Sequence, residues 1–190
     1  MRTLAKTLIP RDEHGIIQLM PDATVYLGGQ NRNGIVVAGD SYAVQGDPDL
    51  GVPCAQLMYP PYLYDKRNEP AERPVISKAP AILDYGKPFK ISTLSRKKIK
   101  TVSLIRSGAM SHSINNDVRL VKVAFKQSGS TLTVYPPKFE GTAIAGYYQL
   151  FIVNEDGTPS KGVKVQLGQY ITKRIGKPLS KYALLDETGQ

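Results

Sequence analysis

The run Tyr147-Tyr148-Gln149-Leu150-Phe151-Ile152-Val153, then Asn154-Glu155-Asp156-Gly157, then Val163-Lys164-Val165-Gln166-Leu167, carries the reading of the fold. The first part is nearly all apolar, as a central strand covered on both faces requires. The second is turn chemistry, with Gly157 free to take a positive φ. The third alternates apolar and polar residues, the signature of a strand with one wet face.

Moving towards the N-terminus, the same pattern repeats. Val118 to Phe125 alternates, turns at Gln127-Ser128-Gly129-Ser130, and returns as Thr131-Leu132-Thr133-Val134-Tyr135. Ile99 to Ile105 and Pro88 to Ser92 alternate as well, and Pro74-Val75-Ile76 leads into the series. Short strands with regularly spaced turns predict an immunoglobulin-like β-sandwich over 74–168. Upstream, Thr24-Val25-Tyr26-Leu27 ending at Gly28-Gly29, and Gly34 to Gly39, read as further short strands. A Pro-rich stretch from Asp47-Pro48 to Pro74 reads as ordered but irregular, because proline fixes φ and removes a ladder donor. The expected organisation is a β segment over 1–58, a connector over 59–73, the sandwich, and a basic tail over 169–190. No helix of three turns is expected anywhere.

Composition limits the function. Of 190 residues, 41% are hydrophobic and 22% charged, enough for a core and too apolar for general disorder. No apolar run is long enough for a membrane-spanning helix. Residues 1–15 are basic but lack the apolar centre and cleavage site of a signal peptide. The expectation is a cytosolic chain or one without its leader. The single cysteine, Cys54, excludes a disulfide framework and a cysteine-rich zinc site; its default is a small buried thiol. Neither a phosphate-binding glycine loop nor a nucleophile elbow is present.

The net charge of +9 is concentrated. Ten of the 25 basic residues, but only one of the 16 acidic ones, lie between Lys87 and Lys126, so the remainder is balanced. Arg96, Lys97, Lys98 and Lys100 are the densest part and a candidate partner-binding patch. An acidic protein, acidic polymer or acidic glycan would suit it. A nucleic acid is disfavoured because no nucleic-acid motif accompanies the charge. The plainer reading is a solvated sheet edge, where lysine discourages pairing.

Several segments resemble one family. Pro60-Pro61-Tyr62-Leu63-Tyr64, Ala71-Glu72-Arg73-Pro74-Val75-Ile76 and Tyr85-Gly86-Lys87-Pro88-Phe89 are similar to the passage from propeller to C-terminal sandwich in galactose oxidase and the glyoxal oxidases. His112-Ser113-Ile114-Asn115-Asn116-Asp117-Val118-Arg119 resembles a second segment of that family. Gly146 to Asn154, with Gly157-Thr158-Pro159-Ser160, resembles its closing hairpin. Arg11-Asp12-Glu13-His14-Gly15, continuing to Leu19-Met20-Pro21-Asp22, is similar to its last propeller blade.

The resemblance implies an all-β chain: a partial propeller-blade segment followed by an immunoglobulin-like, early-set β-sandwich. It also implies chemistry. The family is a copper radical oxidase, with copper held by two histidines, an axial tyrosine and a tyrosine cross-linked to a cysteine. His14 and His112 stand at the histidine positions. Glu13 stands where the axial tyrosine belongs and could act as a base. The cross-linked pair belongs to blades outside this sequence, and Cys54 does not match its cysteine. Both histidines are therefore either copper ligands or inherited residues that only bond backbone. Because neighbours on a strand point to opposite faces, joint ligation by Glu13 and His14 needs a bend there. Asp117 and Arg119 match family positions; an Asn/Asp-rich turn before a strand is ordinary punctuation, so both are expected to be structural, fixing the loop that carries His112. One of Tyr147 and Tyr148 is expected to bond back to a neighbouring loop.

A lone blade segment exposes edges and apolar faces. It must fold back on the sandwich, pair with another chain or a second copy, or belong to a longer protein. The first functional expectation is a non-catalytic structural, interaction or assembly module. The alternative is the C-terminal part of a split or truncated copper radical oxidase, which oxidises alcohols or aldehydes with oxygen and releases hydrogen peroxide. A further alternative is an acidic-glycan or acidic-partner site on the 87–126 face.

Overall fold

The computed structural model describes residues 13–31, 52–111 and 114–168. The expected strand Gly34 to Gly39 and the basic tail lie outside them. So do the first residues of the blade-like segment and His112.

Three strands form the first sheet. β1 (Glu13–Leu19), β2 (Val25–Asn31) and β3 (Val52–Met58) make an antiparallel meander in that order. The register runs Leu19 to Val25 to Met58 and Gln18 to Tyr26 to Leu57. Apolar residues occupy both faces of this sheet, as in a blade that packs between neighbours. β3 occupies part of the Pro-rich stretch expected to be irregular. It is an outer strand of the sheet, the position where a proline such as Pro53 is tolerated. β2 likewise runs on through Gly28-Gly29, where the sequence suggested an end.

A single 3₁₀ turn (Pro61–Leu63) follows. The sandwich then comprises β4 (Ile76–Lys78), β5 (Ile82–Leu83), β6 (Phe89–Thr93), β7 (Ile99–Arg106), β8 (Met110–Ser111), β9 (Ile114–Asn115), β10 (Leu120–Ser128), β11 (Thr131–Tyr135), β12 (Gly146–Asn154) and β13 (Val163–Leu167). β8 and β9 pair only with each other. The other strands are hydrogen-bonded in the order β4-β6-β11-β10-β7-β12-β13-β5.

β10 makes this order two layers. Its first half, Leu120 to Val123, pairs with β7, and its second half, Ala124 to Ser128, pairs with β11. One strand therefore passes from one layer to the other. The inward faces meet in one core: Ile91, Leu132 and Val134 from the first layer; Val102, Leu104, Tyr148, Leu150, Ile152, Val165 and Leu167 from the second. Each is almost fully buried, and burial of such side chains contributes about 1.5–3 kcal/mol apiece. β12 is buried along nearly its whole length, as its composition required; Tyr147 is its exposed exception.

The blade segment folds back on the outer face of the second layer. A second, small core joins them: Ala23 and Leu63 close on Phe151, with Leu19 and Ile105 packed alongside. Polar contacts reinforce it. The Tyr62 hydroxyl donates to the Ala23 carbonyl at 2.8 Å, and the Gly162 amide donates to the Pro21 carbonyl at 2.6 Å. Arg73, at the end of the connector, donates to the Pro159 and Ser160 carbonyls at 2.9 and 2.7 Å. No helix among the described residues is long and apolar enough to cross a membrane.

Candidate functional site

Glu13 and His14 begin β1. The register with β2 shifts between Glu13 and Ile16, so the backbone carries an irregularity where joint ligation would demand a bend. Their side chains are outside the described set. β8 and β9 form a short hairpin, Met110 opposite Asn115 and Ser111 opposite Ile114, and His112 follows Ser111 outside the described residues. β1 and β8 lie against each other. The topology thus brings the strand holding His14 beside the strand that leads to His112.

The base of this hairpin is tightly built. The Asn115 Oδ1 accepts from the Ala109 and Asp117 amides at 3.2 and 3.1 Å, and the Asn116 amide donates to the Ala109 carbonyl at 3.1 Å. These are the bonds an Asn in a tight turn makes. Arg106, the last residue of β7, donates through Nε to Asp117 Oδ2 at 2.5 Å and through Nη1 to the Ile144 and Ala145 carbonyls at 3.2 and 3.0 Å. Its guanidinium lies 5.5 Å from the centre of the Tyr148 ring. The hydrogen bond to Asp117, above all, holds the Arg106 pKa above its ordinary value.

Tyr148 donates to the Ile144 carbonyl at 2.7 Å. It is the tyrosine that ties β12 to the preceding loop. Tyr147 instead projects outwards, with the Lys164 ammonium 4.3 Å from its ring centre. Asp117 fixes the hairpin through its side chain, whereas the contact shown for Arg119 is its carbonyl accepting from the Arg106 amide at 2.9 Å.

The joint between blade and sandwich carries a second polar group. Burial works to raise the Asp22 carboxyl, but the hydrogen bonds from the Thr24 hydroxyl and amide, with Arg73 nearby, outweigh it and hold the pKa low. Burial lowers Arg73 and raises Tyr62. Their hydrogen bonds to carbonyls explain both as joints between segments.

The basic window is less uniform than its sequence suggests. Lys97 is paired with Asp156, Arg96 lies 3.9 Å from Glu72, and Lys87 lies 3.0 Å from Asp84. Lys98 and Lys100 are exposed. Lys90 on β6 and Lys100 on β7 lie on interior strands, where the sheet-edge explanation does not apply, whereas Lys122 and Lys126 lie on β10, each half of which borders its own layer.

Sequence reasoning passed over Arg106 and Arg73, two cations that join segments through backbone carbonyls. Arg106 was counted only as part of a basic patch. The available signal was its place at the end of a buried strand, with an acid a short loop away.

Among the described residues, no three His, Cys, Asp or Glu side chains converge. The described side chains therefore do not make up a donor set for copper.

Comparison with known proteins agrees with the architecture. Residues 73–167 match the family model "Galactose oxidase-like, Early set domain". The chain is 31% identical over 163 residues to galactose oxidase of Gibberella zeae, covering 85% of this chain and 22% of that protein. It is 27% identical over 178 residues to aldehyde oxidase GLOX1 of Arabidopsis thaliana, covering 87% and 28%. A solved fungal alcohol oxidase, determined in complex with copper, superposes with a TM-score of 0.71 at 29% identity, covering 87% of this chain and 33% of that one. The chain thus spans no more than about a third of the length of these relatives. By its two-layered sandwich, its docked blade segment and these matches, the chain belongs to the galactose oxidase-like early-set family.

Proposed function

We propose that this chain works as a docking and assembly module, without a radical cofactor of its own, whose outer face receives the apolar sheets of a β-propeller. The propeller belongs either to a separate polypeptide or to the remainder of a longer protein.

The observation that carries this reading is an apolar groove of about 350 Å³ between the blade turn and the outer face of the second layer. Leu19, Ala23, Ile105, Leu120 and Phe151 line it. Beside it Leu120 is 57% and Val118 71% exposed, and Ile17 and Leu57 are exposed on the three-stranded sheet. A propeller blade typically has four strands and packs between neighbours, so the three strands among the described residues offer faces for a partner. The relatives' much greater length supports a propeller as the occupant of this surface.

Light scattering tests it. The isolated chain is expected to self-associate through this face as concentration rises. Leu120→Lys with Val118→Lys is expected to return it to a monomer, because charge on an apolar contact is left unpaired. A sharp monomer at all concentrations, with no partner recovered from its source, would count against the module. Release of hydrogen peroxide from primary alcohols by the chain alone would overturn it.

One observation favours a second reading, a contribution of His14 and His112 to copper in a split oxidase. β1, the strand of His14, lies against β8, which ends one residue before His112, and this supports the reading. Neutral imidazoles suit copper. Titration with Cu(II) is expected to give a weak spectroscopic change that His112→Ala removes. No change on titration would dispose of this reading.

A further inference from the structure

A polar trough lies at the far end of the sandwich from the β8–β9 hairpin. The eight residues of β7 run between the two ends, a span of roughly 25 Å. The trough has two adjoining concavities, of about 610 and 310 Å³. Tyr64, Pro70 and Ala71 line both. Such volumes are in the range of small-ligand sites, which run roughly 300–1,000 Å³.

Its walls are held in place before any ligand arrives. The connector loop is closed by the Ala71 amide on the Leu63 carbonyl at 2.9 Å and the Asp65 amide on the Glu69 carbonyl at 2.8 Å. Asp65 Oδ1 accepts from the Arg67 and Glu69 amides at 2.8 and 3.0 Å. The opposite wall is the β12–β13 turn. There Asn154 Oδ1 accepts from the Asp156 and Thr158 amides at 3.1 and 2.9 Å, and Lys97 pairs with Asp156. A pre-ordered site loses less conformational freedom on binding.

The chemistry of the lining selects the ligand. In the larger concavity three carboxylates, Asp65, Glu72 and Asp156, stand against three cations, Lys66, Arg67 and Lys97. A chain of net charge +9 has here a balanced site, which offers no advantage to an anion. Interleaved acceptors and donors match hydroxyl groups, each of which both donates and accepts. Tyr64, 37% exposed, and Tyr59, 59% exposed in the smaller concavity, add aromatic surface for the apolar C–H faces of sugar rings. Elongation over two concavities suits several sugar units rather than one.

We infer that this trough binds a neutral oligosaccharide. It has no lining residue in common with the apolar groove proposed for docking, although the turns at 22–24 and 156–159 border both; sugar titration and self-association therefore report on the two readings separately.

Calorimetric titration of the chain with cellohexaose, maltohexaose and galactohexaose tests the inference, with the acidic hexagalacturonate as the charged comparison. At least one neutral hexasaccharide is expected to bind with a Kd of about 1 mM or tighter. Tyr64→Ala is expected to weaken binding about tenfold. Lys97→Ala with Asp156→Ala, which removes a cation and an acid together, is expected to weaken it about fivefold. Phe139→Ala, at an exposed aromatic outside the trough, is expected to change nothing. If Tyr64→Ala fails to fold by circular dichroism, Tyr59→Ala takes its place. No binding of any neutral probe overturns the inference. So does binding that these substitutions leave unchanged, or a salt-sensitive preference for hexagalacturonate.

Discussion

Arg106→Met is expected to lower the unfolding free energy by about 2–4 kcal/mol, because removing one partner of a largely buried ion pair strands the other. The Arg106 side chain is only 13% exposed and Asp117 29%, so the penalty is that of a partly screened pair. Methionine supplies similar bulk but no donors. Asp117 loses its guanidinium, and the Ile144 and Ala145 carbonyls lose theirs. Gly146 shows how closely the arginine is enclosed: a Cβ there would lie 2.6 Å from Arg106 Nη1. Denaturant unfolding measures the loss, and a cycle with Asp117→Asn assigns it. In the Asp117→Asn background the same substitution should cost at least about 1 kcal/mol less, since no charge is left behind. Strictly additive costs would show that the pair is not the source. Amide exchange should rise first at Asn116 and Ala109, whose bonds close the hairpin that Asp117 secures.

Much of this architecture was legible because the strands obey simple periodicities. The alternation of Thr131 to Tyr135 and Val163 to Leu167, and the apolar run after Tyr147, are written directly into composition. The crossing of β10 between layers was not, since Leu120 to Val123 and Ala124 to Ser128 alternate in the same phase whichever partner they take. β5, β8 and β9 are too short to leave a period, and tertiary packing alone makes them strands. β3 was concealed by the prolines around it, which an outer strand accommodates.

The polar joints between segments were not legible along the chain. His14 and His112 are marked by their motifs, but ion pairs between distant segments have no local signature. Lys97 and Asp156 are 59 residues apart and Arg106 and Asp117 are 11 apart. Read along the chain, each cation merely added to a basic window. In space, acids from outside the window meet Lys97, Arg96 and Lys87, and what remains of the surplus charge is more diffuse.

Phe151→Ala should separate the two parts of the molecule rather than unfold both. Phe151 is 2% exposed and is the only large ring in the small core that joins the blade turn to the sandwich, among the described residues. Gly162 fits against it so closely that a Cβ would lie 2.7 Å from its ring, so at that position the loop before β13 has no side chain with which to fill the space. Truncation of a buried phenylalanine costs about 3–5 kcal/mol. Here the loss falls on the attachment, because the main core, built on Leu104, Leu150, Ile152 and their neighbours, does not include Phe151. The remaining links are the bonds of Tyr62, Gly162 and Arg73, and net hydrogen-bond contributions of about 1 kcal/mol each do not replace a buried ring. Amide exchange should therefore accelerate in β1 and β2 while β6 and β11 keep their protection. Equal loss in both regions would mean that the two cores unfold as one unit. A cost below about 1 kcal/mol would mean that the polar bonds alone hold the blade segment in place. The proposed docking surface depends on which holds, since the groove exists only while the blade turn stays seated on β7 and β12.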